Sequence, residues 1–350
     1  MSEFREILVL GLGRSGSNLL TTILRNVEGN AGFYEIFFDT KAQGLQHHPT
    51  ILDRVGARLG VAAPDAESPA LLAARDADPV AFFDAVSAEA RAAGFQSMSC
   101  KIFARQISIG NLERLLKRPG ISVIFLTRSR IDRYISELKG TITQSYVKED
   151  TTALRPRLDL RKFLSTAFRQ DRDLDKMQEA VGLSCVPQAH IDYSRDLDLP
   201  EAARVQAVAR VLRAVGAEPV FTKTETEGWI VKQDTNTDWR DKIENGFEVA
   251  SALAGLGLQT YAEAAPLTGK VPLRHQPGAV MPEPREPSLL DEGGYNIALS
   301  ADPVITFTAI QYGRSFLAEW MGGQARAFGA RRGVHFLKPT WTMETTDLAP

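Results

Sequence analysis

Cysteine is almost missing: Cys100 and Cys185 are the only two in 350 residues. Two thiols are too few for a disulfide scaffold, and no spaced set of histidines accompanies them to make a zinc site. Both are expected to be buried structural thiols. Long apolar runs are also missing. None approaches the ~18 residues of a membrane helix, and the start, Met1-Ser2-Glu3-Phe4-Arg5-Glu6, is acidic where a secretory leader would be basic. A cytoplasmic protein without a transmembrane segment is the expectation. Neither charge sign dominates, since 41 Lys and Arg face 43 Asp and Glu for a formal net charge of -2. That balance gives no overall pull toward nucleic acid, so an anionic ligand must be held by a local cleft.

What is present is an ordinary globular composition, with 44% hydrophobic and 24% charged residues, which excludes wholesale disorder and a bare coiled coil. Glu6-Ile7-Leu8-Val9-Leu10 is a short apolar run of the kind buried on both faces of a parallel sheet. Leu19, Leu20, Ile23, Leu24 and Val27 follow at helical spacing, with Ser15 or Ser17 as the expected cap. Asp78-Pro79 opens a second helix with Phe82, Phe83 and Val86 on its apolar stripe, stopped by Gly94. Met98 to Phe103, Ile121 to Thr127 and Val186 to Tyr193 are further strands, and Glu201 to Val215 is a helix ended by Gly216. Strands alternating with helices predict an α/β fold with a central parallel sheet flanked by helices.

Between the first strand and helix stands Gly11-Leu12-Gly13-Arg14-Ser15-Gly16-Ser17-Asn18, placed where backbone amides and the helix dipole hold a phosphate. As G-x-G-x-x-G it fits a dinucleotide-binding fingerprint, with Glu35 or Asp39 as the acid for a ribose hydroxyl. As a Walker A loop it fails, because Ser17-Asn18 occupies the place of the Lys and Ser/Thr that reach phosphate and magnesium. At the end of the third strand stands a second element, Arg128-Ser129-Arg130-Ile131-Asp132-Arg133-Tyr134-Ile135-Ser136. An arginine supplies a forked, permanent charge to phosphate, and a serine two turns on supplies a short neutral donor.

Together these two elements resemble the cofactor-binding motifs of sulfotransferases, most closely the bacterial carbohydrate type. The resemblance covers about residues 5 to 260. It implies a P-loop-like α/β fold and the donor 3'-phosphoadenosine 5'-phosphosulfate (PAPS), with no metal. It assigns Gly13, Arg14, Ser15, Gly16, Ser17 and Asn18 to the 5'-phosphosulfate, and Arg128 and Ser136 to the 3'-phosphate. Val231-Lys232-Gln233-Asp234 resembles the late loop that closes over the cofactor, which makes Lys232 and Gln233 contacts, although the family's Arg-Lys-Gly form is absent. Glu35, after the first helix, matches the family's catalytic glutamate, and its apolar neighbours in Phe33-Tyr34-Glu35-Ile36-Phe37 suggest a raised pKa. His47 and His48 are rival bases. Lys101 matches a strand lysine that assists some relatives, and Arg14 is the expected donor to transition-state charge.

The implied acceptor is a small molecule or a glycan. Phe33, Tyr34 and Phe37 are candidate stacking rings, and residues 40 to 95 and 141 to 172 are expected to frame its cleft. The expected division is a sulfotransferase domain over 1–262, a proline-rich linker over 263–290 and an extension over 291–350. In that extension Tyr295 to Ser300 and Val304 to Gln311 read as short strands, and Trp320, Trp341 and the Arg326/Arg331/Arg332 cluster suggest an acceptor lid or a homo-oligomer contact. The competing functions are a nicotinamide-dependent oxidoreductase, NAD(P) seated on the G-x-G-x-x-G turn, and a nucleotide-binding module without catalysis.

Overall fold

A computed structural model describes residues 4–145, 149–222 and 232–266. The strands expected at 295–300 and 304–311, and nearly all of the linker, lie outside the described residues. Five parallel strands, β1 (Arg5–Gly11), β2 (Asn30–Gly32), β3 (Ser97–Phe103), β4 (Ile121–Thr127) and β5 (Gln188–Asp192), form one sheet in the order β2-β3-β1-β4-β5. This order differs from the 3-2-1-4-5-6 of the doubly wound dinucleotide fold. Parallel neighbours require crossovers, and of ten helices among the described residues seven lie in the connections between strands: α1 (Ser17–Arg25), α2 (Pro49–Leu59), α3 (Pro69–Ala77), α4 (Pro79–Ala92), α5 (Ile109–Leu116), α6 (Arg130–Thr143) and α7 (Leu160–Ser184), while α8 (Glu201–Ala214), α9 (Gly246–Gly255) and α10 (Gln259–Glu263) follow β5. Among these residues no helix is long and apolar enough to cross a membrane.

Strand periodicity places the core. Along β1, Leu8 and Leu10 pack with Phe33, Phe82, Phe83 and Leu115 on one face. Ile7 and Val9 pack with Leu20, Ile23, Leu24 and Val208 on the other. The central strand therefore reads as an unbroken apolar run because both faces are covered. A third cluster joins α6 and α7 to α9 and α10 through Ile131, Ile135, Phe163, Trp239, Leu253 and Ala262.

Prolines start three helices that the sequence pattern does not fully separate. Pro49, Pro69 and Pro79 stand in the first turns of α2, α3 and α4, where a missing N–H costs nothing. Strand β2 has no sequence signal because Asn-Ala-Gly has no branched residue. Asn30 secures it by donating from Nδ2 to Leu24 O and Ser99 Oγ at 2.8 and 2.9 Å. Two expectations are corrected. Neither Ser15 nor Ser17 caps α1; the cap is Gly16, in the left-handed region at φ 87°. Cys185 is exposed, because it ends α7 in a left-handed turn at φ 55°, whereas Cys100 is buried in β3.

Gly11 closes β1 where the sheet is tightest, since a Cβ there would lie 2.5 Å from the carbonyl oxygen of Leu126 on β4. Gly11→Ala must push β1 and β4 apart, and overpacking of this kind costs about 1–3 kcal/mol. Urea unfolding of the variant checks this, with a lowered midpoint as the expected result and an unchanged midpoint against it.

Candidate functional site

Because β1 lies between β3 and β4, the turn after β1 opens at the carboxyl ends of the strands, where α/β sheets bind ligands. A cleft of about 930 Å³ lies there, within the about 300–1,000 Å³ of small-molecule sites. Its wall carries eight Lys and Arg side chains against five Asp and Glu, a local excess of positive charge in a chain of net charge -2.

The floor is the glycine turn. Gly13, Arg14, Gly16, Ser17 and Asn18 border the cleft, whereas Ser15 is buried away from its wall. Among the described residues, apart from Gly13 and its two chain neighbours, no atom lies within 4 Å of the place a Gly13 Cβ would take, so this backbone faces open space. Helix α1 starts at Ser17 without a side-chain cap, and the first amides of a helix have no intrahelical partner. Those amides and the dipole suit an anion. Arg14 is held at φ 66°, a region that costs a non-glycine residue about 1–3 kcal/mol. Gly16 is needed for its φ and for space, since a Cβ there would overlap the ring of Tyr193.

Two cations converge on this floor from different elements. Arg14 Nε and Nη2 donate to Ser136 Oγ on α6 at 3.1 and 3.0 Å, and Nη2 donates to Gln233 Oε1 at 2.5 Å. Lys101, 1% exposed at the end of β3, pairs with Glu35 Oε1 at 2.9 Å and donates to Ser17 Oγ at 3.3 Å and Asn18 Oδ1 at 2.5 Å. Burial pushes the Lys101 ammonium below its ordinary pKa, against the opposing pull of Glu35. Glu35 Oε2 also accepts from Gln106 Nε2 at 2.8 Å. Its carboxylate thus sits in a polar pair, and the expectation that apolar neighbours surround it is corrected.

Arg128 donates to the carbonyl of Arg14 at 3.2 Å and lies 4.5 Å from the Tyr193 ring centroid. Asp132, below it, accepts from Lys242 Nζ at 2.5 Å and Ser129 Oγ at 2.7 Å. Burial raises the pKa of this carboxyl, but Arg128 and Lys242 outweigh burial and hold it below the ordinary value. The segment at 232–234 crosses the cleft with one tie to each wall. Lys232 Nζ reaches both oxygens of Asp198 at 3.0 and 2.9 Å, Gln233 meets Arg14, and Asp234 Oδ2 accepts from Lys139 Nζ at 2.6 Å.

The structure therefore gathers Gly13, Arg14, Gly16, Ser17, Asn18, Glu35, Lys101, Arg128, Ser136, Lys232 and Gln233 around one cleft. Tyr193, Asp132, Gln106, Lys139 and Lys242 border it too, although sequence reasoning gave them no role in the site. Asp132, midway between Arg128 and Ser136, carried a spacing signal. The expected stacking rings Phe33, Tyr34 and Phe37 are core residues at 0%, 4% and 3% exposure; the rings on the cleft are Phe38, at 43%, Phe103 and Tyr193. Most of residues 40–95 forms α2, α3 and α4, packed into the core rather than along the cleft.

His47 and His48 stand outside the cleft wall. His48 is half-buried with its ring edge-on to Phe33 and Phe95 at 5.1 and 5.7 Å. Burial, then the charges of Arg25 and His47, push its pKa below 6.5. Below pH 6.5 the unfolded chain binds a proton that folded His48 resists, so acidification from there to the lowered value destabilises the fold. His48→Phe is expected to flatten that slope, leaving the share of His190, which burial lowers in the same sense. Urea midpoints between about pH 7 and pH 5 measure it, and an unchanged slope would contradict this assignment. Against models of known protein families and against curated proteins, the chain matches none.

Proposed function

We propose that the protein is a sulfotransferase that moves a sulfuryl group from PAPS to a hydroxyl of a glycan, glycolipid or small metabolite. The observation that carries this reading is the meeting of two motifs 122 residues apart. Arg14 of the glycine turn touches Ser136, and Arg128 touches the turn's own backbone. A ligand bearing one phosphate would use the turn alone; two separated anionic groups on one nucleoside use both motifs. The open amides of α1, the space at Gly13 and the cationic wall suit the 5'-phosphosulfate. Arg128 and Ser136 would hold the 3'-phosphate, with Lys232 and Gln233 across the cleft.

When bound, the donor supplies a sulfuryl group already joined to its leaving phosphate, which leaves positioning, charge stabilisation and proton removal to the chain. Sulfuryl transfer is read here by analogy with phosphoryl transfer. Glu35 borders the cleft and takes the acceptor proton on its carboxylate. Protonation weakens its pair with Lys101, so the ammonium becomes available to negative charge at the N-terminus of α1, next to Arg14.

The nicotinamide reading has less support. The strand order is not that of the doubly wound dinucleotide fold, and Glu35, one of the two acids expected on a ribose hydroxyl, is already engaged by Lys101 and Gln106.

Adenosine 3',5'-bisphosphate is expected to raise the melting temperature of the wild type, whereas NAD(P) is not. Arg14→Ala should weaken bisphosphate binding about tenfold or more, the worth of a charged hydrogen bond, and Ser136→Ala by a smaller factor. Unaltered affinity in both variants would overturn the donor assignment. With labelled donor and cell extract as the source of acceptor, Glu35→Gln should cut turnover by about 100-fold or more while bisphosphate affinity stays within about twofold. An unchanged rate places the base elsewhere.

A further inference from the structure

Arg75, on α3, is 2% exposed, yet its carboxylate partner, Asp76, is a neighbour in sequence whose own side chain is 65% exposed. A guanidinium withdrawn from water is costly unless its donors are used. Its donors point at main-chain carbonyls of one loop. Nη1 donates to Phe38 O at 2.6 Å, with Ile36 O and Lys41 O at 3.4 and 3.5 Å, and Nη2 donates to Asp39 O at 3.3 Å. That loop closes at Glu35, whose carbonyl accepts from the amides of Phe38 and Gln43 at 3.0 and 3.1 Å. Glu35, Phe38, Asp39 and Gln43 all border the cleft, where Glu35 accepts from Gln106. Arg75 itself does not line the cleft.

We propose that Arg75 is a positioning residue. Its planar fork holds the 35–43 loop and so sets the acceptor side of the cleft, including the place of Glu35, without touching ligand. The role rests on the sulfotransferase reading only for the word acceptor; the hold on the loop stands on the contacts alone. The fork is the feature required, because a lysine keeps the charge and reach but offers donors from a single nitrogen.

Hydrogen–deuterium exchange on the full chain tests this with Arg75→Lys and Arg75→Met, the first keeping the charge and the second only the bulk. Exchange in peptides spanning 36–43 is expected to rise about tenfold or more in Arg75→Met and less in Arg75→Lys, with β1 and β3 unchanged. Adenosine 3',5'-bisphosphate should stabilise both variants as it does the wild type. With labelled donor and serial dilutions of cell extract, Arg75→Lys should raise the extract concentration giving half-maximal rate by about fivefold or more at unaltered donor affinity. Wild-type exchange over 36–43 in either folded variant, or equal loosening in both, would overturn the proposal. If Arg75→Met does not fold, Arg75→Lys alone decides by the same peptides. Failure of the bisphosphate to stabilise the wild type would strike the functional reading and leave the loop result standing.

Discussion

A buried ammonium at the end of β3 organises the cleft. Lys101 lies on an inner strand of the sheet, withdrawn from water, and a charge in that position persists only where opposing groups surround it. The groups come from separate regions of the chain: Glu35 from the loop after β2, Ser17 and Asn18 from the first turn of α1. Satisfying one side chain thus fixes the relative places of a strand, a helix N-terminus and a carboxylate. It also explains the chemistry of the turn. Where a nucleotide-triphosphate loop would carry its own lysine, this turn carries Ser17-Asn18 and, beside its own Arg14, receives a cation from the neighbouring strand.

Arg14 provides the second constraint. Its left-handed backbone is unfavourable by itself, and it persists because the guanidinium is held by Ser136 and Gln233 while its carbonyl accepts from Arg128. Tyr193 braces the arrangement, with its face against Gly16 and under Arg128. Strain at one residue is thereby tied to three distant segments. Such over-determined strain is typical of places where a ligand is bound.

Much of this was legible in the sequence, and the limits have physical causes. Strands β1, β3 and β4 announced themselves because both sheet faces are covered, so Ile7 to Leu10 and Val123 to Leu126 are continuous apolar runs. The motif residues stood out because Gly, Ser and Arg recur there at short fixed offsets, and the fold brings most of them to one cleft. Strand β2 stayed hidden because its three residues carry no side-chain signal and pair only through backbone and Asn30. Tyr193, Lys242 and Gln106 were not recognised as site residues because their roles come from tertiary contact alone. Glu35 borders the cleft, in surroundings its sequence does not show: its sequence neighbours are apolar and lie in the core, and the groups that reach its carboxylate, Lys101 and Gln106, are 66 and 71 residues away.

The central claim is that this cleft receives one nucleoside through two separated anionic groups. Calorimetric titration of the wild type with adenosine 3',5'-bisphosphate and with adenosine 5'-monophosphate tests it most directly. Loss of the 3'-phosphate removes charge-assisted hydrogen bonds of about 1.5–3 kcal/mol, so the account predicts that the bisphosphate binds at least about tenfold more tightly. Equal affinities for the two nucleotides would contradict it.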